Sequence, residues 1–91
     1  MFPFETIEPD DAALALRALA WTLAEPDRAS RLLGLTGLTP DDLRARAGES
    51  SIHIATLCFL ENHEPDLIAC ADALGLAPAA LVAVRQRLEA R

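Results

Sequence analysis

The 91-residue sequence has no lysine, no tyrosine, one tryptophan, three phenylalanines and two cysteines. With so few aromatic residues, and an apolar share of 52% drawn mostly from Ala and Leu, there is little to build a sheet from, and helix is favoured almost everywhere. Cys58 and Cys70 stand in no CxxC spacing, and the N-terminus lacks the basic, apolar and small-residue segments of a signal peptide. Both absences point to a reduced, cytoplasmic protein. No run of 18 or more uncharged apolar residues occurs, because Arg17 interrupts the first apolar segment and Asp72, Gly75 and Pro78 break up the last third. No membrane association is expected. The net charge of −6 repels a phosphate backbone or an anionic membrane at long range. All eight basic residues are Arg, which a coding bias toward Ala, Arg and Leu explains without an anion-binding role. A chain of this length supports one domain with one core.

What the sequence does contain is helix punctuation, and it contains it twice. Glu25-Pro26-Asp27 is followed by Gly37-Leu38-Thr39-Pro40, and Glu64-Pro65-Asp66 by Gly75-Leu76-Ala77-Pro78. Proline suits the first helical position, where its missing N–H has no partner to lose, and glycine suits the left-handed residue past a helix end. Each copy therefore reads as start, stop, start. The expected fold is all-α, a compact bundle of five or six short helices over residues 9–91, preceded by an N-terminal arm at residues 1–8. That arm is acidic but carries Phe2, Pro3, Phe4 and Ile7, so it is expected to dock on the domain.

Pro9 is expected to open helix 1, with Asp10 and Asp11 at the positive end of the helix dipole. The helix should run to about Ala24. Its apolar residues form two stripes, Ala12-Leu16-Leu19-Leu23 and Leu14-Ala18-Trp21, which implies neighbours on two sides. Helix 2 runs from Pro26 to Gly37 and should bury Ala29, Leu32, Leu33 and Leu35. Helix 3 has Thr39 as cap, Pro40 in the first turn, Asp41 and Asp42 against the dipole, Leu43 and Ala47 inward and Gly48 as stop. Helix 4 starts at Ser50 or Ser51, either of which can cap, and is apolar nearly all round, the mark of a central helix. Helix 5, Pro65 to Leu74, faces Leu67, Ala71 and Leu74 inward. Helix 6 opens at Pro78 and turns Leu81, Val84 and Leu88 inward. Ala77 offers no side-chain cap where Thr39 does, so helix 6 is expected to fray before helix 3.

Leu38, Pro40 and Leu43 recur as Leu76, Pro78 and Leu81 at an offset of 38, and Trp21 recurs as Phe59. Glu25 meets Glu64 only at an offset of 39. Two three-helix halves related by a pseudo-twofold axis would produce this match. Reuse of the same caps by any Ala/Leu-rich helical chain would produce it equally well.

Ala18-Leu19-Ala20-Trp21, the run from Gly34 to Ala47 (GLTGLTPDDLRARA) and the later order of Phe59-Leu60 and Gly75-Leu76-Ala77-Pro78 resemble the small bacterial family catalogued as domain of unknown function 3572. The resemblance covers the chain from about Ala12 onward, and the middle run is its most specific part. It implies a compact helical fold and brings no activity, cofactor or catalytic residue with it.

The residues themselves offer no catalytic constellation. Ser50, Ser51, His53, Cys58, His63 and Cys70 are the nucleophiles and bases present, and no local signature links one to another. His53 and Cys58 are five apart, off the face-sharing helical spacing, so neither a metal nor any other cofactor is expected. A non-enzymatic protein-interaction or adaptor module is the leading reading. On helix 4, His53, Thr56, Leu60 and His63 recur at spacings of three, four and three, a stripe suited to lining a groove or to forming a solvated edge. Phe2 and Phe4 would fill such a groove from their own chain or from a second copy, giving a homodimer, and Trp21 belongs to the same candidate surface. The partner, if not self, is an unidentified protein. The alternative is a helix-turn-helix DNA-binding protein using residues 66–88, with Arg85, Gln86 and Arg87 as contacts. Its chemistry is thin, because the acidic balance works against counterion release.

Overall fold

The computed structural model describes residues 10–91; Pro9 and the arm at residues 1–8, with Phe2 and Phe4, lie outside the described residues. Six helices follow in order: α1 Asp11–Leu23, α2 Pro26–Thr36, α3 Pro40–Arg46, α4 Ser50–Glu61, α5 Glu64–Leu74 and α6 Pro78–Glu89. No strand occurs among the described residues, and the fold is an all-α bundle.

Most helix ends follow the local chemistry of the sequence. Asp10 caps α1, its Oδ1 accepting the Ala13 N–H at 3.1 Å. Thr39 caps α3 in a reciprocal box: Thr39 Oγ1 accepts the Asp42 N–H at 3.1 Å, and the Asp42 carboxylate accepts the Thr39 N–H at 2.9 Å. The backbone N–H of Thr39 holds the Asp42 carboxyl below its usual range. Gly37 and Gly75 close α2 and α5 at φ 74° and 75°, backbone that a side chain rarely adopts. Four ends differ from expectation. α1 opens at Asp11 rather than at Pro9, because the Asp10 side chain caps it from an extended backbone. α3 stops at Arg46, before Gly48, which does not take the left-handed conformation. Glu49 stands at the start of α4 with no side-chain cap bond, and Ser50 is already helical, because the 46–49 turn delivers the chain one residue early. α5 begins at Glu64, so Pro65 is its second residue, whereas Pro26 is the first of α2.

That one-residue difference explains why the Glu-Pro-Asp phrase repeats at 39 while the helices repeat at 38. α2 and α5 share both bounds at the offset of 38, α3 and α6 share their starts, and α1 and α4 share their ends. Burial repeats as well: Leu14, Ala15, Ala18, Leu19 and Thr22 are buried on α1, and Ile52, His53, Thr56, Leu57 and Leu60 are buried on α4. These two helices pack on each other at the centre. α6 covers α4, α5 and α1, and α2 lies beside α1 and α4. The exception to the parallel is α3, which makes only marginal contact with the rest, whereas its counterpart α6 is deeply embedded.

Side-chain burial departs from expectation at three apolar positions. The inward sector of α1 is Leu14, Ala15, Ala18, Leu19 and Thr22, and of the outer stripe only Leu19 is buried, leaving Leu16 41% and Leu23 38% exposed. Leu35 is 75% exposed on the far side of α2 from Ala29 and Leu33. The chain termini of the domain are tied by charge. The buried Asp11 carboxylate accepts two bonds from Arg87 Nε at 3.1 Å, one from Arg87 Nη2 at 2.8 Å and one from Arg91 Nη2 at 2.8 Å. The hydrogen bonds from Arg87 hold the Asp11 carboxyl below its usual value of 3.8.

A depressed carboxyl stabilises the fold above its unfolded value and loses that contribution as pH falls through the folded one. Urea unfolding of the Asp11→Asn variant should therefore show less loss of stability than wild type between neutral pH and about pH 2. Thr39→Ala should cost about 1 kcal/mol in the same assay. The packing also reverses the order of fraying expected from caps alone, since α6 buries Leu81, Val84 and Leu88 while α3 buries only Leu43. Hydrogen exchange should be faster at the amides of α3 than at those of α6.

Candidate functional site

The polar stripe on α4 is not a surface. His53 and Thr56 are each 1% exposed and Leu60 is fully buried, so of the four residues only His63 reaches solvent. Backbone carbonyls satisfy the buried polar atoms: Thr56 Oγ1 donates to the Ile52 carbonyl at 2.8 Å, and His53 Nε2 donates to the Ala47 carbonyl at 2.7 Å. His53 thus fastens the loop between α3 and α4 rather than lining a groove. Trp21 is half-buried, with the Arg28 guanidinium 3.7 Å from its ring centroid and Arg28 Nη2 donating to its carbonyl at 2.7 Å.

On α6, Gln86 is exposed while the two neighbouring arginines are engaged. Arg85 binds Glu61 and Glu89, and Arg87 binds Asp11. α5 and α6 meet at a bend of 98°, within the range of a helix-turn-helix. Burial pushes the Cys70 thiol up to about 11 and raises that of Cys58 too, so neither is poised as a thiolate near neutral pH. Among the described residues, no three His, Cys, Asp or Glu side chains gather in a way that would hold a metal ion. No single helix among them is long and apolar enough to cross a membrane.

A concave feature of the described residues lies elsewhere, between α1, α2 and α3. Leu19 and Leu23 of α1, Ala29 and Leu33 of α2, and Pro40, Leu43, Arg44 and Ala47 line an open groove of about 320 Å³. Its walls are apolar apart from Arg44, whose side chain is 74% exposed and pairs with Asp41. The exposed Leu16 extends the same α1 stripe beyond the groove toward Asp11, at helical spacings of three and seven from Leu19 and Leu23.

At the offset of 38 the counterpart of this groove lies between α4, α5 and α6, where Ala29 is replaced by Leu67, Leu33 by Ala71, Leu23 by Glu61, Ala47 by Arg85 and Arg44 by Val82. Leu67 and Ala71 are buried, and Glu61 is bonded to Arg85 across the position that Leu23 and Ala47 leave unbridged. The leucine gained at 67 is matched by the one lost at 71, so the halves differ here in the ion pair and in how deeply α6 and α3 are packed.

A family model described as "Protein of unknown function (DUF3572)" matches residues 9–91. The chain belongs to this family. No curated protein and no solved structure matches it. The match spans all six helices, and therefore both the groove and its closed counterpart.

Sequence reasoning named Leu19, Leu23, Ala29, Leu33, Leu43 and Ala47 as inward-facing without seeing that they converge on a space left unfilled. No local signal marks that convergence, because Ala29 against Leu67 is offset by Leu33 against Ala71. Ala29→Leu should fill part of the groove and stabilise the fold by about 0.5–1 kcal/mol. Leu67→Ala should cost about 2–3 kcal/mol by emptying the closed half. Chemical denaturation of the two variants measures both.

Proposed function

We propose that this DUF3572 domain is a non-enzymatic protein-interaction module, and that the α1–α2–α3 groove is its binding face. The occupant is a short segment of a partner protein carrying bulky aliphatic or aromatic anchors. The single observation behind the reading is the groove itself, about 320 Å³ and open, with Leu19, Leu23, Ala29, Leu33, Pro40 and Leu43 as its apolar walls. The exposed Leu16 and Leu23 lengthen the face along about two turns of α1, enough for anchors spaced as on a helix or an extended peptide.

The helix-turn-helix alternative draws support from the 98° bend between α5 and α6. Against it, two of its three proposed contacts, Arg85 and Arg87, are already neutralised by carboxylates of the domain itself. A net charge of −6 adds to the cost of approaching phosphates.

Selection of displayed random peptides on the full chain tests the reading. Enriched sequences should carry two bulky apolar side chains, and their affinity should fall by about tenfold or more against the better-packed Ala29→Leu variant. Enriched peptides that bind both proteins equally would remove the groove as the binding face. Salt-sensitive binding of a labelled DNA duplex, lost in Gln86→Ala, would replace the reading with the helix-turn-helix one.

A further inference from the structure

We infer that α3 is a rigid flap of the groove: it swings as one preformed piece about its C-terminal end at Ala47 and Gly48, and the swing sets how wide the groove stands. This builds on the groove being a docking face and makes one wall of that face movable.

α3 holds its own shape. A helix of seven residues has little stability in isolation. Here Pro40 takes the first position, Thr39 and Asp42 form the reciprocal box, Arg44 pairs with Asp41 at 2.5 Å and Arg46 with Glu49 at 2.9 Å. Among the described residues, every hydrogen bond and ion pair made by residues 39–46 goes to another residue of 39–49. All of them travel with the helix.

Little joins it to the rest. Leu43 is its one buried residue, and the other helices touch it only marginally. Leu38 and Ala47, just outside its two ends, are partly buried against the core. The polar ties at those ends are unequal. The Ala47 carbonyl accepts from the buried His53 Nε2 at 2.7 Å, whereas the Leu38 N–H reaches Thr36 Oγ1 at 3.3 Å, longer than the usual range for such a bond. Thr36 Oγ1 also donates to the Leu32 carbonyl at 2.7 Å, so it keeps a partner when Leu38 leaves. The C-terminal end is therefore the pivot, and the N-terminal end moves.

A glycine stands outside each tie. Gly37, at φ 74°, is in backbone that its closure of α2 requires. Gly48 lies in the turn after the pivot with φ outside the left-handed region, and an added Cβ there would meet nothing within 4 Å. The conformation seen does not call for glycine at 48, but a pivot that takes up changes in φ and ψ does. Pro40 and Leu43 line the α3 side of the groove, and Ala29 and Leu33 the α2 side. Helical rise puts Pro40 roughly 10 Å from Ala47, so a turn of about 15° at the pivot moves Pro40 by roughly 3 Å.

Residual dipolar couplings of N–H and Cα–Hα pairs in the weakly aligned full chain measure this motion. Those of α1, α2, α4 and α6 should fit one alignment. Those of α3 should fit an intact helix with every coupling scaled by one common factor, about four-fifths of the order in α1. Gly48→Ala should raise that factor to the level of α1. Gly34→Ala, which also puts a methyl group into open space, should leave it unchanged. Couplings of α3 at full strength in wild type would overturn the flap, and so would a loss graded residue by residue from one end, which is fraying. An equal reduction in wild type and Gly48→Ala would overturn the pivot. The peptide selection judges the docking face separately. Peptides lost in Ala29→Leu, with α3 fixed, keep the face and overturn the flap; a moving α3 without such peptides keeps the flap and removes the face.

Discussion

The contact between α1 and α4 is the one on which the other helices depend. Each presents a wide buried sector to the centre; α4 is flanked by α5 and α6, and α1 by α2, α5 and α6. The two sectors are complementary in size. Ala15 and Ala18 are small where their counterparts His53 and Thr56 are larger, and Thr22 corresponds to Leu60. Small residues on one helix admit larger ones on the other, which keeps the interior close-packed without strain. The polar atoms this introduces are satisfied by backbone carbonyls at Ala18, Ile52 and Ala47. A core of a 91-residue chain has no spare free energy for unpaired polar groups.

The rest of the molecule is an arrangement of covers over that centre, and the covers are unequal. α6 is long, embedded and tied through its C-terminal half, by Arg85 to Glu61 and by Arg87 to Asp11. α3 has seven residues, one of them buried, and an efficient capping box that makes it a well-formed helix with little to pack against. Local order and tertiary attachment are separate quantities here. The capping box fixes the shape of α3, which is nevertheless only loosely attached to α1 and α2. The groove is the consequence.

Much of the fold was legible in the sequence because helix ends are local events. Pro26, Gly37, Thr39, Pro40, Gly75 and Pro78 act on their own backbone within a turn, so their roles survive any tertiary context. The boundaries that moved at Glu49, Glu64 and Arg46 are ones where no side chain imposes a cap and a neighbouring turn decides, while α1 starts at Asp11 because the Asp10 carboxylate caps it there. The candidate site was far less legible. Residues of intermediate polarity on α4 suggested a surface, but a threonine bonded to the carbonyl four residues back, or a histidine bonded to a loop carbonyl, is internally satisfied and free to be buried.

The sequence alone determined six helical segments, the all-α class, the family and the 38-residue recurrence of helix starts and stops. Periodicity and caps are properties of a chain segment and its own backbone. Only the tertiary structure decided which of the two apolar stripes of α1 meets the core. It also decided that α3 is loosely attached where α6 is embedded, and that Arg85 and Arg87 are spent on carboxylates. Those outcomes depend on side-chain volumes and charges brought together from positions far apart in the chain. The groove is a further outcome of that kind, walled by residues of α1, α2 and the α3 region that no local rule brings together.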